Sequence, residues 1–370
     1  MKRKGFVAAL TLLPPFVTLI HHKLTGSYTN IWREGMIASR CHCRCTNRGT
    51  SLSKPVPLLY AMLTGIIVLA CYLPPAHAQN SHNSTSNRID PVLTKKVLQA
   101  IDGFKGEVGV YVRHLKSGKT VMIRADELFP TASMIKVPIL LTAFQKIQEG
   151  ELDYHGEQTY RDSLLYAGED ILGSFKDGEK IKLSKVIMLM ITTSDNTASL
   201  WCQKLVGTGT AINEWLQAHG FSQTRVNSRT PGREADREKF GWGQTTPREM
   251  AELLVMIREG RAVSLDASEE MYRTLTRIYW NGEALSQIPP FIQAASKQGA
   301  VNRSRSEVVL VNAPSGDYVF CVITKNQEDE SWQYDNAGYV LLRNISRLLW
   351  DYFEPKSKWQ PAPGAKKWAK

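Results

Sequence analysis

The chain has 370 residues, 43% apolar and 22% charged, an ordinary globular composition that excludes disordered and low-complexity architectures. Its 46 Lys+Arg against 35 Asp+Glu give a net charge of +11, a sign that suggests nucleic acid or a membrane surface as partner. Nine of those basic residues and a single acid, Glu34, lie in residues 1–78, so the remaining 292 residues carry only +3 and nucleic-acid binding loses its support.

Residues 57–75 (PLLYAMLTGIIVLACYLPP) form an apolar run preceded by Arg40, Arg44, Arg48 and Lys54 and followed by Ala76-His77-Ala78. Basic flank, apolar stretch and paired small residues are the pattern of an export signal cleaved before Gln79, so the protein is expected to be exported, periplasmic or secreted. A retained membrane anchor through 57–75 and a lipoprotein modified at Cys71 are the competing readings. A second apolar run at Gly5–Ile20, broken by Pro14-Pro15, makes Met36 the better start. Residues 1–78 are thus read as leader and 79–89, polar throughout their first half, as a flexible spacer. Cys41, Cys43 and Cys45 lie in the leader without a second ligand pair, leaving Cys202 and Cys321, which read as two buried thiols.

From residue 90 the apolar spacing predicts a helix over 91–103 and strands at Glu107–Val112 and Thr120–Arg124, joined by the turn Lys116-Ser117-Gly118. Residues 133–148 are apolar on nearly every side, the mark of a buried central helix. Further helices are expected at 184–192, 197–206, 247–258 and 268–279, and strands return at Ala294–Ala300, Glu307–Val311 and Tyr318–Thr324. A helix over 333–353 closes the domain, and the lysine-rich tail 355–370 is expected to fray. Strands at both ends and helices between give an α+β fold over residues 90–354. One antiparallel sheet is built from both chain ends, flanked by the terminal helices, with a mostly helical lobe inserted.

Several chemistries are absent. No Gly-x-Ser-x-Gly elbow and no His-Glu-x-x-His occurs, and Gly118-Lys119-Thr120 lacks the glycine that a phosphate loop needs at Arg113. His82, His114, His155 and His219 are scattered and read as surface or loop residues; no metal and no cofactor is expected. What remains is Ser133-Met134-Ile135-Lys136 at the start of the buried helix. Residues three apart share a helix face, so the Lys136 amine can reach the Ser133 hydroxyl. An apolar setting lowers a lysine pKa until the amine can take a proton, and a serine is a nucleophile only beside such a base. The motif alone is weak: ordinary usage yields one or two such spacings per chain of this length, and Ser51…Lys54 is a second one.

Order and spacing sharpen it. Ser194-Asp195-Asn196 follows Ser133 by 61 residues, and Lys297-Gln298-Gly299 lies 103 residues beyond Ser194. These three elements, with Phe129-Pro130-Thr131-Ala132-Ser133 and Ile191-Thr192-Thr193-Ser194-Asp195-Asn196, resemble the class A β-lactamase and penicillin-binding protein superfamily of serine hydrolases over roughly residues 90–353. The resemblance implies that Ser133 attacks a lactam or D-Ala-D-Ala carbonyl while Lys136 helps remove its proton. Ser194 relays a proton to the leaving nitrogen, Asn196 holds the substrate amide, and Lys297 supplies positive charge. Gly299 and Ala300 lie on the substrate strand, Ala300 giving the second oxyanion N–H. Arg305, with Arg303 as competitor, is expected to bind the substrate carboxylate.

Two departures stand out. Gln298 replaces the usual Ser or Thr of the third motif. The loop Thr224–Asp236 lacks the family's Glu-x-x-x-Asn, the expected glutamate falling near Thr230, and Glu234, Asp236 and Glu238 read as a solvated loop paired with Arg233 and Arg237. The partner implied is a small-molecule β-lactam or a peptidoglycan stem peptide, met by a monomer. The functions in play are a β-lactamase with slow deacylation, a D,D-peptidase or penicillin-binding enzyme, and a non-catalytic envelope binding domain.

Overall fold

The computed structural model describes residues 87–168 and 170–368; the expected leader and its cleavage site lie outside the described residues. In chain order the elements are β1 (Arg88–Ile89), α1 (Pro91–Ile101), β2 (Glu107–His114), β3 (Lys119–Ile123) and β4 (Phe129–Pro130). A 3-10 turn (Ala132–Ile135) leads into α2 (Lys136–Gln148), followed by β5 (Glu157–Thr159), β6 (Lys180–Lys182), α3 (Leu183–Thr192), α4 (Asn196–Leu205) and α5 (Thr208–Ala218). Then come β7 (Arg225–Val226), α6 (Glu234–Phe240), β8 (Gly243–Thr245), α7 (Pro247–Arg258) and α8 (Leu265–Leu275). The chain closes with β9 (Ala294–Val301), β10 (Ser304–Val311), β11 (Tyr318–Lys325) and α9 (Ala337–Phe353).

The fold is α+β. Its main sheet runs β1-β3-β2-β11-β10-β9, so strands from both ends interleave, and every pairing is antiparallel except β1 beside β3. Side chains alternate across the sheet. On one face Val110, Val112, Phe320 and Val322 meet Leu93 and Val97 of α1 and Leu342, Ile345 and Trp350 of α9. On the other, Tyr111, Val308, Leu310 and Cys321 meet the helical lobe, with Met250, Leu253 and Leu254 of α7 laid across them. Residues 136–144 of α2 are all buried, which is why that helix is apolar all round. Asp90 starts α1 by accepting from the Val92 and Leu93 N–H groups, with Pro91 at the first position.

Several expectations are corrected. The continuous helix over 133–148 is a 3-10 turn that becomes α-helical only at Lys136. The end of the expected spacer 79–89 is drawn into the sheet, where Arg88 and Ile89 pair with Lys119 and Thr120 on the open edge of β3. Helix α8 begins at Leu265, because Ser264 caps it, and ends at Leu275 rather than 279. The tail, expected to fray, is tied to the body at two points: the Arg347 guanidinium donates to the Trp359 carbonyl at 3.0 Å, and the Lys366 amine sits 5.3 Å from the Tyr334 ring. His114 is buried at the end of β2, its ring accepting from the Ser117 N–H in the Lys116-Ser117-Gly118 turn. Cys202 and Cys321 are free, buried thiols.

Candidate active site

Two strained turns face each other. In the first, the Thr131 N–H donates to the Gly243 carbonyl and Ala132, the first residue of the 3-10 turn, takes a left-handed φ of 44°. In a 3-10 turn side chains at i and i+3 eclipse, which sets the Lys136 Nζ directly over the Ser133 hydroxyl at 3.1 Å. In the second, α3 ends and Ser194 adopts a φ of 61°. A non-glycine residue held left-handed costs of order 1–3 kcal/mol, so the flanking helices must hold both turns in place.

Lys136 is fully buried, and its Nζ touches the Ser133 Oγ, the Ser194 carbonyl (2.5 Å), the Ser194 Oγ (3.0 Å) and the Asn196 Oδ1 (2.8 Å). Lys297, equally buried, donates to the Ser194 Oγ at 3.1 Å and to the backbone and side-chain oxygens of Gln298, each at 3.0 Å. The Ser194 hydroxyl thus bridges two amines. Burial pushes the Lys136 amine down to about 7, against the opposing pull of the Asp170 and Asp195 charges. Burial, and then the positive charge of Lys136, drive Lys297 well below the usual lysine range, with Glu307 and Glu283 opposing.

The second turn is held by two carboxylates. Asp195 caps α4 through the Ala198 N–H (2.7 Å) and also accepts from the Leu172 N–H (3.0 Å). Asp170 accepts from the N–H groups of Asn196 and Thr197, both at 2.9 Å. Asp170 is a site residue that the motifs do not reveal. The nearest signal is its position in the polar stretch before α3, which carries no fixed spacing to Ser194.

Gly299 works through the absence of a side chain. A Cβ there would lie 2.5 Å from the Thr131 carbonyl oxygen and 3.0 Å from the Ser133 nitrogen, so only glycine lets β9 lie against the Ser133 turn. Ala300 follows on the rim of an open groove of about 690 Å³ whose lining includes Ser133, Asn196, Pro130 and Trp242. Tyr166 and Trp242, neither singled out in the sequence, meet edge to face at 5.1 Å to form one wall.

Arg305 is a correction. The register pairs it with Ala300 while Lys297 pairs with Val308, so Arg305 and Lys297 lie on opposite faces of the sheet. The Arg305 guanidinium is fully buried, donating to the carbonyls of Val301, Ser304 and Ser331, and stacked between Trp332 (4.5 Å) and Tyr339 (4.7 Å). Arg303 does line the groove, tied to the carbonyls of Asn326 and Gln327.

Among the described residues, the loop from β7 to β8 turns no carboxylate toward Ser133. Glu234 accepts from the Gly232 N–H, Asp236 pairs with Arg233 at 2.7 Å, and Glu238 is exposed. Thr230, where the loop glutamate was expected, is buried and donates to the Ser228 carbonyl. The groove receives Lys239, Phe240, Gly241 and Trp242 from this segment.

Residues 92–353 match the model of the beta-lactamase enzyme family. The chain belongs to that family. Among its relatives, the beta-lactamase VEB-1 of Pseudomonas aeruginosa is 20% identical over 279 residues, 72% of this chain and 92% of the relative. The solved structure of PBP-A superposes with a TM-score of 0.65 at 26% identity, covering 73% of this chain and 98% of that one. A point mutant of PBP-A, solved as an acyl-enzyme complex with penicillin G, matches with the same TM-score and identity, and 99% of that chain is covered. As a family member this chain is a class A-like β-lactamase or penicillin-binding fold, built on the serine-hydrolase scaffold.

Proposed function

We propose that the protein is a penicillin-reactive serine acylase that forms its acyl-enzyme through Ser133 and clears it slowly. The observation that carries this reading is the Lys136 amine, buried, pushed down to about 7, and 3.1 Å from the Ser133 oxygen. Ser133 Oγ attacks the carbonyl carbon as Lys136 takes its proton. The Ser133 and Ala300 N–H groups receive the oxyanion. When the carbon–nitrogen bond breaks, Ser194, in contact with both lysines, hands a proton to the leaving nitrogen. Asn196 steadies Lys136 and holds the substrate amide.

Deacylation needs a base to activate water on the exposed face of the ester. The described loop offers none, which favours a D,D-peptidase or penicillin-binding enzyme over a rapid lactamase. The penicillin G acyl-enzyme of the PBP-A mutant supports β-lactams as ligands for this site. A fluorescent penicillin should label the protein covalently, and folded Ser133→Ala should take no label. Label persisting on folded Ser133→Ala would move the nucleophile elsewhere.

A further inference from the structure

We infer that Trp280 is a positioning residue for proton delivery to the leaving amine: its indole N–H fixes the peptide ahead of Ser194 and keeps the Ser194 hydroxyl between the two lysines. The inference rests on Ser133 being the acylated nucleophile and Ser194 the proton donor. Had α3 run on into α4, the Thr192 and Thr193 carbonyls would have accepted from the N–H groups of Asn196 and Thr197, four residues ahead. The helix breaks there instead, at Ser194 with its φ of 61°. All four backbone groups then need other partners. Asp170 takes the two donors, both at 2.9 Å. The two acceptors are satisfied by consecutive residues of the segment after α8. The Tyr279 N–H donates to the Thr192 carbonyl at 2.9 Å, and the Trp280 Nε1–H to the Thr193 carbonyl at 2.7 Å.

The Trp280 bond is the one nearest the chemistry. The Thr193 carbonyl shares a peptide plane with the Ser194 nitrogen, so an indole that holds that oxygen fixes the plane from which the Ser194 side chain projects. The Ser194 Oγ then meets Lys136 at 3.0 Å and Lys297 at 3.1 Å. A left-handed serine is strained. Without the indole bond the peptide is free to relax, and the hydroxyl moves off the bridge. The segment is itself well held. Trp280 is half-buried and meets Tyr279 edge to face at 5.2 Å, while Ala284 donates to Glu307 at 2.8 Å and accepts from the Ser346 hydroxyl at 2.7 Å. In the step concerned, the Ser133 oxygen–carbon bond forms and the carbon–nitrogen bond breaks. The Ser133 proton passes to Lys136, Ser194 gives a proton to the amine, and Lys136 restores it to Ser194. An amine does not leave as an anion, so this step needs Ser194. A thiolate does, so acylation by a thioester proceeds without it.

The test uses the full chain and two donors that give the same acyl-enzyme: an N-acyl-D-Ala-D-Ala peptide, which releases an amine, and the matching N-acyl-D-Ala thioester. The rate of Ser133 acylation is read by intact mass and by release of D-Ala or thiol. Trp280→Phe removes the N–H. If the smaller ring impairs folding, benzothienylalanine at position 280 keeps a bicyclic ring and puts sulfur in place of the N–H. With either change, acylation by the peptide is expected to fall about 10–100-fold and by the thioester less than about threefold. Ser194→Ala should show the same selective loss. Equal losses with both donors in the Trp280 variant, or no loss with the peptide, overturn the inference. A Ser194→Ala protein without the selective loss removes the proton-delivery step on which it rests. Wild-type acylation by neither donor would instead defeat the serine-acylase reading itself.

Discussion

A lysine amine accepts a proton only when neutral, and in water it is charged at any physiological pH. Burial of Lys136 shifts that balance to about 7, so the base form is available near neutrality without a histidine. The rate of acylation by a penicillin should therefore rise with pH and level off above about 7, because the deprotonated amine is the active form. A rate that is flat or falls between about pH 5 and 9 would contradict this role. Lys136→Ala should slow acylation by about 10²–10⁴-fold in stopped-flow or quenched mass measurements, with the fold preserved by circular dichroism. Gln298 and Arg305 make the complementary point, since each side chain is defined by what already occupies its hydrogen bonds.

At the scale of elements, the turn before α4 is the most heavily tied part of the site. Asp170 accepts from two of the first N–H groups of α4, a place where the helix dipole favours negative charge. Its charge also raises the Lys136 pKa. Asp170→Asn should move the midpoint of the acylation pH profile downward, and Asp170→Ala should in addition cost about 1–3 kcal/mol of stability in denaturant melts. An unmoved midpoint in Asp170→Asn would separate Asp170 from Lys136. Behind β9, Glu307 of β10 accepts from the Ser296 hydroxyl and the Ala284 N–H. Burial, and then the Glu283 charge, push it up to about 8 from an ordinary 4.5. A raised folded-state pKa makes the protonated acid the favoured form, so its contribution to stability is full below 4.5 and is lost as pH rises toward about 8. Glu307→Gln should remove that part of the decline. Melts of wild type and variant that fall in parallel over the same window would contradict the shift.

For the whole molecule, the α+β layering was legible because burial on both faces of the sheet makes stretches of the central strands β2, β10 and β11 read as apolar runs and α2 as apolar all round. The serine–lysine pair was legible because a local turn enforces its spacing. What escaped depended on contacts distant in sequence. Asp170 reaches α4 through tertiary packing, and the Tyr166–Trp242 wall joins two loops. The face taken by Arg305 follows from the β9–β10 register, which a hairpin turn of unknown length leaves open until the strands pair. The tail looked solvated because its lysines outnumber its aromatics, yet Trp359 and the Tyr334–Lys366 contact hold it to the body.

Ser133, Lys136, Ser194 and Lys297 meet beside a loop whose Glu234 and Asp236 carboxylates are engaged elsewhere. Intact-protein mass spectrometry after mixing with benzylpenicillin, followed by peptide mapping, tests both halves at once. The expected result is one penicilloyl adduct, mapped to Ser133 and persisting for minutes. An adduct on another residue would move the nucleophile away from Ser133, and one that clears within seconds in the wild type and persists in Glu234→Gln would make Glu234 the deacylation base.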